Sequence, residues 1–237
     1  RSFIVAGSGT VVTGTVFDGA VRVGDRLLLS PRGREVRVRG LQKDGARAEL
    51  AVAGERCALN LVGVDVSEVQ RGDWILHPDL HAPASRLDVD LRVLVDERHA
   101  LRHWTPVHLH LGTRDVTARV SLRRGVAVQA GGRAFARLVV DQPLVASRGD
   151  RFILRDQSAQ RTVGGGWVLD ASPDPRRLPD DARLKRLQAL AMPSSAEALK
   201  ALAACTPTGL NAAEAARRFN VEPEAFARLL QETGLVS

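Results

Sequence analysis

Few side chains in this sequence could do chemistry, and their spacing narrows the choice. Histidines come in two close pairs, His99 with His103 and His108 with His110. Neither pair has a carboxylate or thiolate at a recognised ligand spacing, and no His-Glu-x-x-His string occurs, so no metal site is expected. Cys57 and Cys205 lie far apart, the first inside an apolar strand pattern; both read as structural thiols in a reducing compartment. No Ser/His/Asp or Cys/His arrangement and no carboxylate pair stands out, so the segment is expected to catalyse nothing by itself. A nucleotide-phosphate loop is missing too: there is no Gly-x-x-x-x-Gly-Lys-Ser/Thr string, and Gly7-Ser-Gly9 leads into a strand pattern. A glycine loop that opens no helix lacks the amides that cradle phosphate. Gly164-Gly165-Gly166, between two strands, reads as a bulge or tight turn. Two arginines remain. Arg1 immediately precedes the first strand, and Arg56 opens the strand Arg-Cys-Ala-Leu-Asn-Leu after Gly54-Glu55. Taken alone, both read as solvated strand-end cations.

The elements that hold these residues are mostly strands. Ser2–Val5 and the β-branched stretch Thr10–Phe17 are joined by Ala6-Gly7-Ser8-Gly9, two strands and a tight turn. Gly14 inside the second strand predicts a bulge or a close backbone approach. Turn signals then cut the chain into Arg26–Ser30, Glu35–Gln42, Arg56–Val62 and Trp74–Leu76, a spacing that predicts a small closed barrel. Val36, Val38, Leu41, Leu59 and Leu61 are its core candidates by period-two alternation. Residues 77–85, with two prolines, read as a linker. A second all-β unit follows in Arg86–Val95, Pro106–Leu111, Thr113–Ser121, Arg133–Val140, Arg151–Arg155 and Gly166–Leu169, with Gln142-Pro143 as a turn into another short segment.

Composition changes after Ser172. Pro173–Pro179 reads as a linker, and the chain from Asp181 is rich in Ala and Leu at helical spacing. Leu184, Leu187, Leu190 and Ala191 share one face; Ala198, Leu199 and Leu202 share another. Pro193 and Pro207 cut the helices. Asn211 is the expected N-cap of Ala212–Phe219; after the Asn220-Val221 turn, Glu222-Pro223 starts a helix to about Glu232, closed by Gly234. This is a helix-turn-helix pattern with Ala216, Val221, Phe226 and Leu229 at its apolar centre. It breaks off at Ser237, where a wing would begin, so both ends of the chain read as cut. The organisation is mainly β with a C-terminal all-α part: two consecutive small β-barrels, residues 1–80 and 81–172, then a truncated winged-helix domain, 180–237.

At 237 residues the chain can build two or three cores. It shows no leader and no stretch near 18 apolar residues, so a cytoplasmic protein without membrane contact, and a monomer, is expected. The net charge of +7 is uneven, because residues 81–172 carry 14 basic and 9 acidic groups and hold +5 of it. Arginine supplies 31 of the 34 cations, and guanidinium binds phosphate in bidentate fashion. A basic middle domain suits an RNA backbone.

Phe-x-Val-x-Gly-x-Gly-Thr-Val-Val-Thr-Gly-Thr, from Phe3, and Val21–Asp25 resemble the start of the second domain of elongation-factor-Tu-like translational GTPases. Four further strings extend the likeness in order: Glu35–Gln42, Ala53–Asn60, Arg71–Trp74, and Arg151–Asp156 with Arg161–Gly165. Together they resemble the second and third barrels of that family, and most of all its selenocysteine-specific elongation factors. The resemblance implies that the first barrel holds the aminoacyl end of a tRNA. Where ordinary Tu-type factors have an asparagine, this sequence has Arg56; an arginine is also expected just before the first strand, at Arg1. Both are implied to bind the selenolate of selenocysteyl-tRNA. The ribosome is implied as a partner, as is an mRNA hairpin held by later winged helices that this sequence lacks. GTP and Mg2+ are implied for the whole factor and none for this segment. Two rivals are a different Tu-type cargo carrier or sulfate-activation subunit, and a helix-turn-helix regulator. The helix-turn-helix argues against the first. The carboxylates of Glu222–Glu232, with Arg228 alone against them, argue against the second.

Overall fold

A computed structural model describes residues 2–5, 9–123, 126–173, 180–206 and 209–235. Arg1, the Ala6-Gly7-Ser8 part of the first turn, most of the 173–179 linker and the helix break at Pro207 lie outside the described residues. The chain divides into two compact units, Arg1–Pro83 and Ala84–Ser237.

The first unit contains β1 (Ser2–Val5), β2 (Gly9–Thr15), β3 (Ala20–Arg22), β4 (Arg26–Ser30), β5 (Arg34–Lys43), β6 (Ala46–Ala48), β7 (Leu50–Val52), β8 (Arg56–Val62) and β9 (Trp74–Leu76). One antiparallel sheet runs β1-β2-β8-β5-β4-β9, with β6 on β5, while β3 and β7 form a separate ribbon. The ribbon puts Val21 and Ala51 into the same core as Leu29, Val36, Val38, Leu41, Leu59 and Leu61, so sheet and ribbon wrap one apolar centre. Phe17, just past β2, stacks at 4.9 Å on Trp74 of β9 and brings the two flanks of the wall together. Gly14 makes neither a bulge nor a close approach. The β2–β8 register passes unbroken through Gly14↔Cys57, and the space where a Cβ would stand is open.

The second unit starts with β10 (Ala84–Val93), β11 (Thr105–Leu111), β12 (Arg114–Ser121), β13 (Arg133–Leu144), β14 (Arg151–Arg155) and β15 (Thr162–Asp170), closed as a barrel in the order β10-β13-β12-β11-β14-β15. Alternation fills it: Leu87, Val89, Leu91, Leu109, Leu138, Leu154 and Val168 are wholly buried. Two expectations fail here. Gln142-Pro143 is no turn, because β13 runs on to Leu144, which pairs with Ala84 beyond a register shift. A bulge of that kind tolerates a proline without a ladder N–H. Gly164–Gly166 is no turn either but part of β15, and the bulge half of the reading holds beside it, where the register with β14 shifts between Gly164 and Thr162. A Cβ would stand 2.4 Å from Arg92 O at Gly164, 2.6 Å from Phe152 O at Gly165 and 1.8 Å from Asp90 O at Gly166. The glycines let β10 and β14 close on β15.

Four helices complete the unit: α1 (Asp180–Leu190), α2 (Ser195–Ala204), α3 (Ala212–Phe219) and α4 (Pro223–Thr233). Asn211 caps α3 through Glu214 N, Asn220 ends it in left-handed geometry, Pro223 opens α4 and Gly234 closes it at φ 68°. Their core joins Leu187, Leu190, Leu199, Leu202, Ala216, Phe219 and Phe226 to Leu169 of the barrel, with Phe135 packed against it. The helices therefore seat on the outside of β13 and β15. Among the described residues no helix is long and apolar enough to cross a membrane.

Candidate anion-binding site

Arg56 is placed by the alternation of β8. Cys57, Leu59 and Leu61 point into the core, which leaves Arg56, Ala58, Asn60 and Val62 on the outer face. Across the ladder, β2 sets Thr15 opposite Arg56, Thr13 opposite Ala58 and Val11 opposite Asn60. On the other side β5 sets Gln42 opposite Ala58 and Gly40 opposite Asn60. The Arg56 side chain is exposed, and its guanidinium has no ion-pair or hydrogen-bond partner among the described residues.

The nearest acid in sequence is already engaged. Glu55 follows a turn with Gly54 at φ 89°, and both carboxylate oxygens accept from Lys43 Nζ at 2.9 Å. It also accepts from Val52 N at 2.8 Å. The Lys43 hydrogen bond, then the Val52 amide, hold the Glu55 carboxyl below its usual range, so it stays ionised and turned to Lys43. Among the described residues Arg56 is left without a compensating acid. Behind it, burial pushes the Cys57 thiol upward, so that sulfur is neutral and inert.

Asn60 was not singled out by the sequence reading. It lies on the same face four residues from Arg56, and its Oδ1 is buried with no hydrogen-bond partner among the described residues. Only the alternation of β8 could have marked it, as an amide where neighbouring strands leave an outer face. Arg1, the other expected anion ligand, lies outside the described residues. Among the described residues the face offers a guanidinium, hydroxyls and an amide, groups that can bind an anion.

The histidine pairs find separate uses. His103 Nδ1 bonds the Leu122 backbone at 2.8 Å, and His108 Nδ1 lies 3.1 Å from Asp115 Oδ1 across the β11–β12 hairpin. His110 Nε2 lies 3.9 Å from the same oxygen. Among the described residues no three such groups converge to hold a metal ion. With no phosphate loop in the sequence, the residues present do not fit a GTP–Mg2+ site.

Comparison with known proteins supplies the remaining facts. Residues 9–76 match the family of elongation factor Tu domain 2, and residues 88–175 match the β-barrel domain of the selenocysteine-specific elongation factor. The selenocysteine-specific elongation factor of Desulfomicrobium baculatum is 39% identical over 170 residues, 72% of this chain and 27% of the relative. That of Escherichia coli (strain K12) is 35% identical over 238 residues, 100% of this chain and 36% of the relative. A crystal structure of bacterial selenocysteine-specific elongation factor EF-Sec superposes with TM-score 0.72 at 29% identity, covering 94% of this chain and 35% of that one. The chain spans about a third of the length of the curated relatives it matches.

Proposed function

The chain belongs, over the stretch it spans, to the selenocysteine-specific elongation factors, and on that premise we propose that it holds selenocysteyl-tRNA for GTP-dependent delivery to the ribosome at recoded UGA codons. The observation that carries the reading is the unpaired Arg56 guanidinium on the outer face of the first barrel.

A selenol is more acidic than a thiol, whose ordinary pKa is about 8.5, so selenocysteine is largely anionic at neutral pH. Serine on the same tRNA body is neutral. A charge-assisted hydrogen bond contributes about 1.5–3 kcal/mol. Arg56 and Arg1 together would supply about 3–6 kcal/mol, roughly two to four decades of discrimination. Without an anion, two cations brought together repel, which penalises the serine form. Nucleotide binding is proposed for a GTP-binding domain of the family, and no step here runs through it. The second barrel would touch the tRNA backbone without reading sequence. Recognition of an mRNA hairpin is proposed for further winged helices.

The test joins the chain to a GTP-binding domain of the family, loaded with GTP. One tRNA body charged with selenocysteine should bind at least tenfold tighter than the same body charged with serine. Arg56→Asn should bring that ratio close to one. Equal affinities in the unmodified chain would overturn the selenolate site.

A further inference from the structure

The first barrel carries a second basic feature, on β4 and β5. Arg26 of β4 and Arg37 of β5 are directly opposite each other in the antiparallel register. Both are exposed, and among the described residues neither guanidinium has a carboxylate partner. Like charges set opposite on one face of a sheet are destabilising, and strands normally place an acid or a neutral residue there. Acids are available nearby without being used. Asp25 turns back to the Arg22 amide at 2.7 Å, and Glu35, two residues before Arg37, stands opposite Leu28 rather than an arginine.

The surroundings extend the feature. Arg37 is also opposite Val62 of β8, an apolar side chain left 40% exposed. Val62 is the far end of the outer row that begins at Arg56, about 20 Å away along the strand. The exposed Arg39 continues the basic row on β5. An unpaired arginine pair flanked by an exposed aliphatic group suits a strand of alternating phosphate and sugar. Guanidinium forks take phosphate oxygens two at a time, and an anion between the two arginines turns repulsion into attraction.

We propose that the Arg26–Arg37 face of the first barrel is a binding surface for an RNA phosphodiester backbone, separate from the selenolate site. The surface reads charge and not sequence, since nothing on it is arranged to meet base edges. It does not depend on the role given to Arg56.

The test uses the chain as it stands, a fluorescent single-stranded RNA of mixed sequence, and a glutamate-rich peptide of equal charge. Arg26→Gln/Arg37→Gln is compared with Arg217→Gln/Arg228→Gln, which removes the same charge from exposed sites on α3 and α4. The first variant should bind RNA about tenfold more weakly, and its plot of log affinity against log salt should flatten by about 1.4, two single-strand phosphates' worth. The second should leave the slope unchanged. Thermal melting of the first variant should be equal to or above that of the unmodified chain, because a repulsion is gone. Equal losses in both variants would reduce the effect to bulk charge and overturn the proposal. So would a peptide that binds as tightly as RNA with the same dependence on the pair, which would make the face a protein-docking surface.

Discussion

At the scale of single residues, what makes Arg56 useful is what its neighbours refrain from doing. The acid next to Arg56 in sequence is Glu55, and it is turned elsewhere. Here Lys43, at the end of β5, takes both oxygens of Glu55. The pair is half-buried and held by two hydrogen bonds. Releasing it should matter to a site built on one free charge. Lys43→Gln should lower the preference for selenocysteyl- over seryl-tRNA by a few-fold, because the released Glu55 carboxylate can then offset the Arg56 charge. Lys43→Gln/Glu55→Gln should restore it. An unchanged preference in the single variant would show that Glu55 has no bearing on the site. The position of Arg56 at the head of a strand was legible in the string Gly-Glu-Arg-Cys-Ala-Leu. Its freedom was not, because that depends on Lys43, twelve residues before Glu55, which β-pairing brings alongside.

At the scale of elements, the sequence was read best where local chemistry decides the outcome. Asn211, Asn220, Pro223 and Gly234 set the limits of α3 and α4 through caps and left-handed turns, which involve only a few residues each. Arg151–Arg155 and Trp74–Leu76 were read to the residue for the same reason, being apolar runs bounded by turns. Pro143 and Gly164–Gly166 were misread as turns because their meaning lies in other strands. The three glycines have ordinary φ values, so they are not needed for a turn. They are needed for room. Gly166→Ala would drive a methyl group into Asp90 O, a backbone atom that cannot swing aside. We expect it to destabilise the second unit by about 1–3 kcal/mol or more, read as a fall in the denaturant midpoint at constant slope. Gly112→Ala has open space but a φ of 57°, so its smaller loss would come from backbone strain. If the two variants cost the same, crowding at β15 is not what the glycines relieve.

At the scale of the whole molecule, a helical module is held on a barrel by charges that no sequence pattern announces. Asp88 of β10 and Asp170 of β15 are 4% and 1% exposed, and each faces two arginines. Asp88 accepts both arms of Arg137 on β13, at 2.7 and 2.9 Å, and a third bond from Arg183 of α1 at 3.1 Å. Asp170 lies 3.5 Å from Arg186 of α1 and 3.1 Å from Arg218 of α3. Arg148, between β13 and β14, donates to the carbonyls of Leu190 and Met192 and lies over the Phe219 ring, and burial draws its pKa below the ordinary arginine value. Ion pairs of this kind add little net stability over apolar packing, but removing one partner leaves a buried charge unmet and costs about 3–5 kcal/mol. They therefore fix the seat of the helices more than they strengthen it. Asp170→Asn keeps the shape, takes the acid from Arg186, and leaves Arg218 with Glu214 and the Ser172 carbonyl. Its helical amides in α1–α4 should exchange hydrogen about two decades faster or more, while the barrel amides of β11 and β12 keep their protection. Differential scanning calorimetry should show a new transition below that of the barrel. If protection instead falls uniformly across barrel and helices, the module has no seat of its own and the two layers fold as one cooperative body.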